Sequence, residues 1–163
     1  MTDNQIELIN DAFCALIKSG RSDIEQYFDL VNLDYENNRP IKAAAAYNNL
    51  VALKILLSRP EVDPSTTNQY PIFIATEKNN IECVAELLKH PKVDPTTDEH
   101  AVYRLAAIRR YTTILDLLVQ HPSFNAYNAY VDCKKHKSDC LWLFYRFPTL
   151  EKFANSTDKF DLL

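Results

Sequence analysis

Glycine is nearly missing: Gly20 is the only one in 163 residues. Phosphate-cradling loops and oxyanion-hole segments depend on glycine, which enters the left-handed backbone region without a steric penalty. A glycine-rich nucleotide cradle is therefore excluded, and a catalytic thiol would have no glycine segment to complete its site. Long apolar runs are missing as well, and the opening MTDNQIELIN has no basic stretch leading into an apolar one. Neither a membrane span nor a cleaved leader is expected. Excess positive charge is the third absence. Eighteen Lys and Arg stand against 22 Asp and Glu, for a net charge of −4, and the basic residues are scattered. General attraction to phosphate backbones is not expected, so nucleic acid is set aside as a partner.

What remains is the composition of one soluble globular domain, 47% hydrophobic and 25% charged. Four cysteines are present, Cys14, Cys83, Cys133 and Cys140. The first two sit in apolar helical patterns, where a thiol behaves as a small hydrophobe. This usage fits a reducing compartment, and a cytoplasmic location is expected.

Against this background one segment recurs at a fixed step along the chain. Val31, Val62, Val93 and Phe124 fall one period apart, as do Ala44, Ala75 and Ala106, then Leu56, Leu87 and Leu118, and finally Pro60, Pro91 and Pro122. Periods of this length denote stacked modules, because one such unit cannot bury its apolar face until a neighbour covers it. The unit from Val62 to Lys92 reads as a turn at Asp63-Pro64-Ser65, a loop through Tyr70, and a short helix opening on Pro71. A second helix from Ile81 carries the apolar stripe Ile81, Val84, Leu87 and Leu88, matched one unit earlier by Leu50, Leu53, Leu56 and Leu57. The pairs Asn48-Asn49 and Asn79-Asn80 stand where glycine would make the turn between helices, since asparagine best tolerates the left-handed conformation. The alanine column requires small side chains where helices meet closely.

The segments RPIKAAA, YPIFIAT and AVYRLAA, followed by LKILL, AELLK and LDLLV, resemble the ankyrin repeat. Its pattern runs Thr-Pro-Leu-His-x-Ala-Ala, Gly-His, then Val-Val-x-x-Leu-Leu. The usual Thr is replaced by Arg39, Tyr70 and Ala101, the His by Lys42, Phe73 and Arg104, and the Gly by Asn48, Asn79 and Arg110. The repeat style, with its HPKVDP segments, is similar to ankyrin arrays of giant viruses of amoebae and of intracellular bacteria. The resemblance implies an all-α helix-turn-helix solenoid of about five units. Its boundaries would be 6–32 for an N-terminal capping unit, 33–61, 62–92 and 93–123 for central repeats, 124–155 for a C-terminal unit and cap, and 156–163 for a tail. In the first unit Ala12, Ala15, Ile24, Tyr27 and Phe28 are expected in the core, with Gly20 at the helix turn. The period is slightly shorter than the common one, which implies a shortened finger loop.

The resemblance implies a non-catalytic, monomeric module that binds a partner protein through a concave strip of loop tips and first helices. By matching positions the strip carries Asn38, Arg39 and Tyr47; Gln69, Tyr70, Glu77 and Lys78; His100, Ile108 and Arg109; and Tyr130. No cofactor is expected. Two alternatives stay open. Cys133, His136 and Cys140 would share one helical face, which offers three zinc ligands or a redox-sensing pair, though a closed zinc site needs a fourth ligand. The irregular C-terminal cap from Val131 to Phe153 would otherwise be the acting surface of a small effector or inhibitor. The recurring Asp34, Asp63 and Asp94 are expected as turn residues, and the end DKFDLL has the form of an acidic dileucine signal.

Overall fold

With one glycine to use, the chain builds its left-handed turns from other residues. The computed structural model describes residues 2–136, and there it is helical throughout, without a strand. Eight α-helices follow in order: α1 (Asp3–Lys18), α2 (Tyr35–Ala46), α3 (Leu50–Leu57), α4 (Thr66–Glu77), α5 (Ile81–Leu87), α6 (Thr97–Arg109), α7 (Thr112–Val119) and α8 (Ala126–Lys135), with a 3-10 turn at Glu25–Tyr27 after α1. None among the described residues is long and apolar enough to cross a membrane. The chain divides into two compact units, one ending at Asp94 and the other beginning at Pro95.

The finger loop has become one left-handed helical turn. Residues 36–38, 67–69 and 98–100 all have φ between 46° and 64°, one repeat apart. Each turn is closed by a bond four residues back, from Asn38 N–H to the Asp34 carbonyl (3.0 Å), from Gln69 to Ser65 (2.9 Å) and from His100 to Thr96 (3.1 Å). The right-handed part of each helix starts only afterwards, with Pro40 and Pro71 in its first turn, where the missing N–H costs nothing. A left-handed non-glycine residue costs about 1–2 kcal/mol, and β-branched Thr67 at φ 52° is the most strained of the nine. Thr67→Asn is expected to raise the thermal midpoint, by about 0.5–1 kcal/mol of stability. Thr67→Val should lower it, and a fall with both variants would show that the turn is not strained there.

Within the first unit, each left-handed helix end closes the same way. Asn49 N–H reaches the Ala44 carbonyl (3.0 Å) and Asn80 reaches Ala75 (2.9 Å), while Asn48 and Asn79 take φ of 56° and 58°. Gly20, at φ 85°, does this for α1, where Arg21 N–H bonds the Leu16 carbonyl (3.1 Å). Aligned on this bond, Leu16 pairs with Ala44, so the step from α1 to α2 is shorter than the step from Ala44 to Ala75. The expectation for Ala12 and Ala15 is corrected accordingly: both are exposed, and α1 instead buries Asn10, Phe13, Cys14 and Ile17. Ile24 is fully buried and Tyr27 and Phe28 are half-buried. The second helices bury Ala52, Leu53 and Leu56 on α3 and Cys83, Val84 and Leu87 on α5, all at 0% exposure. Each such leucine contributes about 1.5–3 kcal/mol.

The second asparagine of each pair does more than make a turn. Asn49 caps α3, its Oδ1 accepting from Ala52 N–H (3.1 Å), while its Nδ2 donates to the carbonyls of Ile17 (3.0 Å) and Arg21 (2.7 Å) at the end of α1. Asn80 repeats the reach, donating to Ala45 (2.7 Å) and Ala46 (3.1 Å) at the end of α2. On the turn side, Asn10 and Asn38 accept from the N–H of Asn32 (2.8 Å) and Asp63 (2.7 Å), and Gln69 donates to the Lys92 carbonyl (3.2 Å). This buried polar column joins one repeat to the next where the usual Thr/His pattern is lacking. Asp63 is a turn residue as expected, accepting from Ser65 N–H and Oγ at 3.1 and 2.7 Å. One unit earlier the same role falls to Asn32, whose Oδ1 accepts from Asp34 N–H at 3.1 Å.

In the second unit α6 packs on α7 and α8 around Ala106, Ala107, Ile114, Leu115, Leu118, Ala129 and Cys133. Arg110, at φ 59°, takes the turn position of Asn48 and Asn79. Glu99 ties the left-handed turn to α8 through Lys135 and His136, and Arg104 stands 3.9 Å away. Its hydrogen bonds to Lys135 and His136 hold its carboxyl at about 2, below the ordinary 4.5. A depressed carboxyl stabilises above its unfolded value, so this tie is complete above pH 4.5 and is lost as the pH falls towards 2. Amide exchange in α8 is expected to gain protection over that window in the parent chain and to gain less with Glu99→Gln, which keeps the contact of Asp132 with His100. An identical profile in both would remove the assignment.

Candidate partner-binding groove

First helices in this fold expose one side along successive repeats, and in the first unit that side forms a groove of about 590 Å³. Its floor is Ala43 and Ala46 of α2 with Ile74 of α4; its walls are Lys18 from the last turn of α1, Arg39, Lys42 and Tyr47 from α2, and Tyr70 and Lys78 from α4. Periodicity explains the arrangement. Arg39 and Tyr70, Ala43 and Ile74, and Tyr47 and Lys78 are three pairs one period apart, so each repeat presents the same helix positions side by side. The small floor leaves the hollow, and long side chains make its rim.

Four cations and no carboxylate line the groove. They are not equivalent. Arg39 bridges Asp11 and Glu36, the latter at 3.0 Å, and although burial works against its charge, these carboxylates raise its pKa. Lys78 lies 3.7 Å from Glu77. Lys18 and Lys42 have no carboxylate within 4.0 Å among the described residues: Lys18 Nζ lies 5.7 Å from the centre of the Tyr47 ring, and Lys42 Nζ donates only to the Glu36 carbonyl at 3.4 Å. Burial pulls the Lys42 pKa down, opposed by Glu36. Tyr47 is 57% exposed and Tyr70 40%, with Tyr70 stacked on Phe73 at 6.3 Å between centroids.

Of the residues expected on the strip, Arg39, Tyr47, Tyr70 and Lys78 meet here, with Glu77 at their edge. Ile108 and Arg109 are exposed on α6 in the second unit. Asn38, Gln69 and His100 are corrected: each is the last residue of a left-handed turn, which turns its side chain inward. All three are under 9% exposed. His100 Nδ1 lies 2.6 Å from Asp132 Oδ2. Tyr130, at 4% exposure, is likewise part of the packing of α8. Sequence reasoning missed Lys18 and Lys42. Lys42 had a signal, since it replaces the histidine of the repeat pattern, whereas Lys18 comes into place only through the shorter step that follows α1.

The zinc reading finds no support among the described residues. Cys133 is buried at 1% exposure while His136 ends the helix at the surface against Glu99, and Cys140 lies outside the described residues. No group of three metal-ligating side chains occurs among the described residues. Cys14 and Cys83 are buried as small hydrophobes, and burial pushes the Cys83 thiol up to about 11 and raises that of Cys14. Most of the C-terminal cap, with the dileucine-like end, also lies outside the described residues.

A family model described as ankyrin repeats, in three copies, matches residues 41–129. No curated protein matches the sequence.

Proposed function

The chain belongs to the ankyrin-repeat family, and from that premise we propose that it is a non-catalytic module binding a partner protein through the groove of its first unit. Ankyrin repeats are generally protein–protein interaction modules. The observation that carries the reading is the groove itself, where two exposed tyrosines and four cations surround a floor of small side chains. Tyrosine and arginine are enriched at binding hot spots because they combine large contact area with fixed polar ends. Its walls stand on helices held by buried asparagine bonds, so docking would order little that is not already ordered. Ile108 and Arg109, exposed in the second unit, are proposed as contact residues of that unit by itself. The array of five units with the boundaries given above, and its action in the cytoplasm, belong to this proposal too.

Affinity capture tests it, comparing the intact chain with a Tyr47→Ala, Tyr70→Ala, Arg109→Ala variant once circular dichroism has shown equal helicity. A partner retained by the intact chain and lost with the variant is the expected result. Equal retention by both would place the contact elsewhere and end the groove reading.

A further inference from the structure

The geometry points to an acidic, carboxylate-bearing peptide segment of the partner protein as the occupant of the groove lined by Lys18, Lys42, Tyr47 and Tyr70. This rests on the groove being the contact surface.

Charge supplies the first step. A chain of net charge −4 collects four cations and no carboxylate around one hollow. Two of the four are already neutralised, Arg39 by Asp11 and Glu36 and Lys78 by its neighbour Glu77. Lys18 and Lys42 are not, and Lys42 has lost part of its hydration to burial. A carboxylate placed beside Lys42 would restore the solvation that folding removed, and Tyr47, already under the Lys18 ammonium, would cover the pair from water.

Size and polarity narrow the occupant. A hollow of about 590 Å³ is in the range that holds a drug-sized ligand, which corresponds to a few residues of extended chain and not to a folded surface. Phosphate is disfavoured. Phosphate sites use free guanidinium forks, whereas half of this rim, Lys18, Tyr47 and Lys78, stands at the C-terminal ends of α1, α2 and α4, whose carbonyls repel a dianion. The one arginine is occupied by two carboxylates. Single negative charges met by separate lysines fit this setting, and Tyr47, Tyr70 and Ile74 give an apolar side chain between them a surface to rest on.

The test is a phage-displayed library of random peptides panned against the full chain, with the selected peptides then measured by fluorescence anisotropy. Peptides rich in Asp and Glu are expected. Their affinity should fall at least about tenfold with Lys18→Gln plus Lys42→Gln, fall further as salt rises, and hold with Lys54→Gln on α3 outside the groove. Neutral or basic peptides that are lost with Tyr47→Ala plus Tyr70→Ala but kept by the lysine variant would overturn the acidic occupant and leave the groove reading in place. Displacement of the acidic peptides by equimolar inorganic phosphate would overturn the carboxylate assignment. Peptides indifferent to both pairs, or none at all, would overturn the inference and the groove reading together.

Discussion

Replacing Asn49 with alanine is expected to lower folding stability by about 2–4 kcal/mol, a large effect for one polar side chain. The side chain is 8% exposed and makes three bonds at once, accepting from Ala52 N–H and donating to the carbonyls of Ile17 and Arg21. Losing a helix cap costs about 1 kcal/mol. The Ile17 carbonyl keeps the Gly20 N–H at 3.1 Å, whereas the Arg21 carbonyl loses its side-chain donor, which accounts for the rest at about 1–3 kcal/mol. Aspartate separates the two roles. It caps a helix as well as asparagine does, but it presents a carboxylate to two carbonyl oxygens. Asn49→Asp should therefore be no better than Asn49→Ala in urea denaturation. Recovery of stability by aspartate would mean that the cap alone matters and that the link to α1 does not.

Leu87→Ala is expected to cost about 2–5 kcal/mol, among the largest losses available to a single apolar substitution here. Leu87 has no exposure, and Leu56 and Leu118 hold the same position one repeat before and after it. On α5 its neighbours Cys83 and Val84 are also fully buried, so no solvent-facing side chain can swing in to fill the space. Leu87→Met, which keeps the volume, should cost less than about 1.5 kcal/mol. Glu82→Ala, on the exposed side of α5, should stay within about 0.5 kcal/mol. Thermal midpoints that ranked the three substitutions otherwise would contradict the assignment of Leu87 to the core.

The repeat was legible because burial imposes the same demand at the same place in every unit. Ala44, Ala75 and Ala106 all reach 0% exposure, as their small size predicted, and Asn48 and Asn79 are left-handed in the position a glycine would take. The first unit departs from expectation because the turn after α1 aligns Leu16 with Ala44, which brings Phe13 and Ile17 into the columns of Ile41 and Ala45 and leaves Ala12 and Ala15 exposed. The left-handed turns at 36–38, 67–69 and 98–100 could not be read at all. Glu, Asn, Thr, Gln, Asp and His fill them; Asn, Asp and His favour the left-handed region only as single residues, and Glu, Thr and Gln do not favour it, so no local preference selects three in a row. The inward bonds of the third residue hold each turn, from Asn38 to Asp63, Gln69 to Lys92 and His100 to Asp132. The same turn explains why Asn38, Gln69 and His100 looked like loop-tip contacts and proved to be buried.

The asparagine bonds also give the array a direction in time. Asn49 begins α3 with one end of its amide, and its other end, like the amide nitrogen of Asn80, is fixed by carbonyls of the preceding repeat, earlier in the chain. As the polypeptide leaves the ribosome, those carbonyls are in place before the asparagine that meets them. Each finished unit thus fixes the asparagine that stands before the next second helix, and assembly can advance unit by unit from the N-terminal end during synthesis. A chain begun without α1 would have to start α3 with its cap unguided, whereas one stopped after α5 would lack no donor or acceptor that the asparagines of the earlier repeats require.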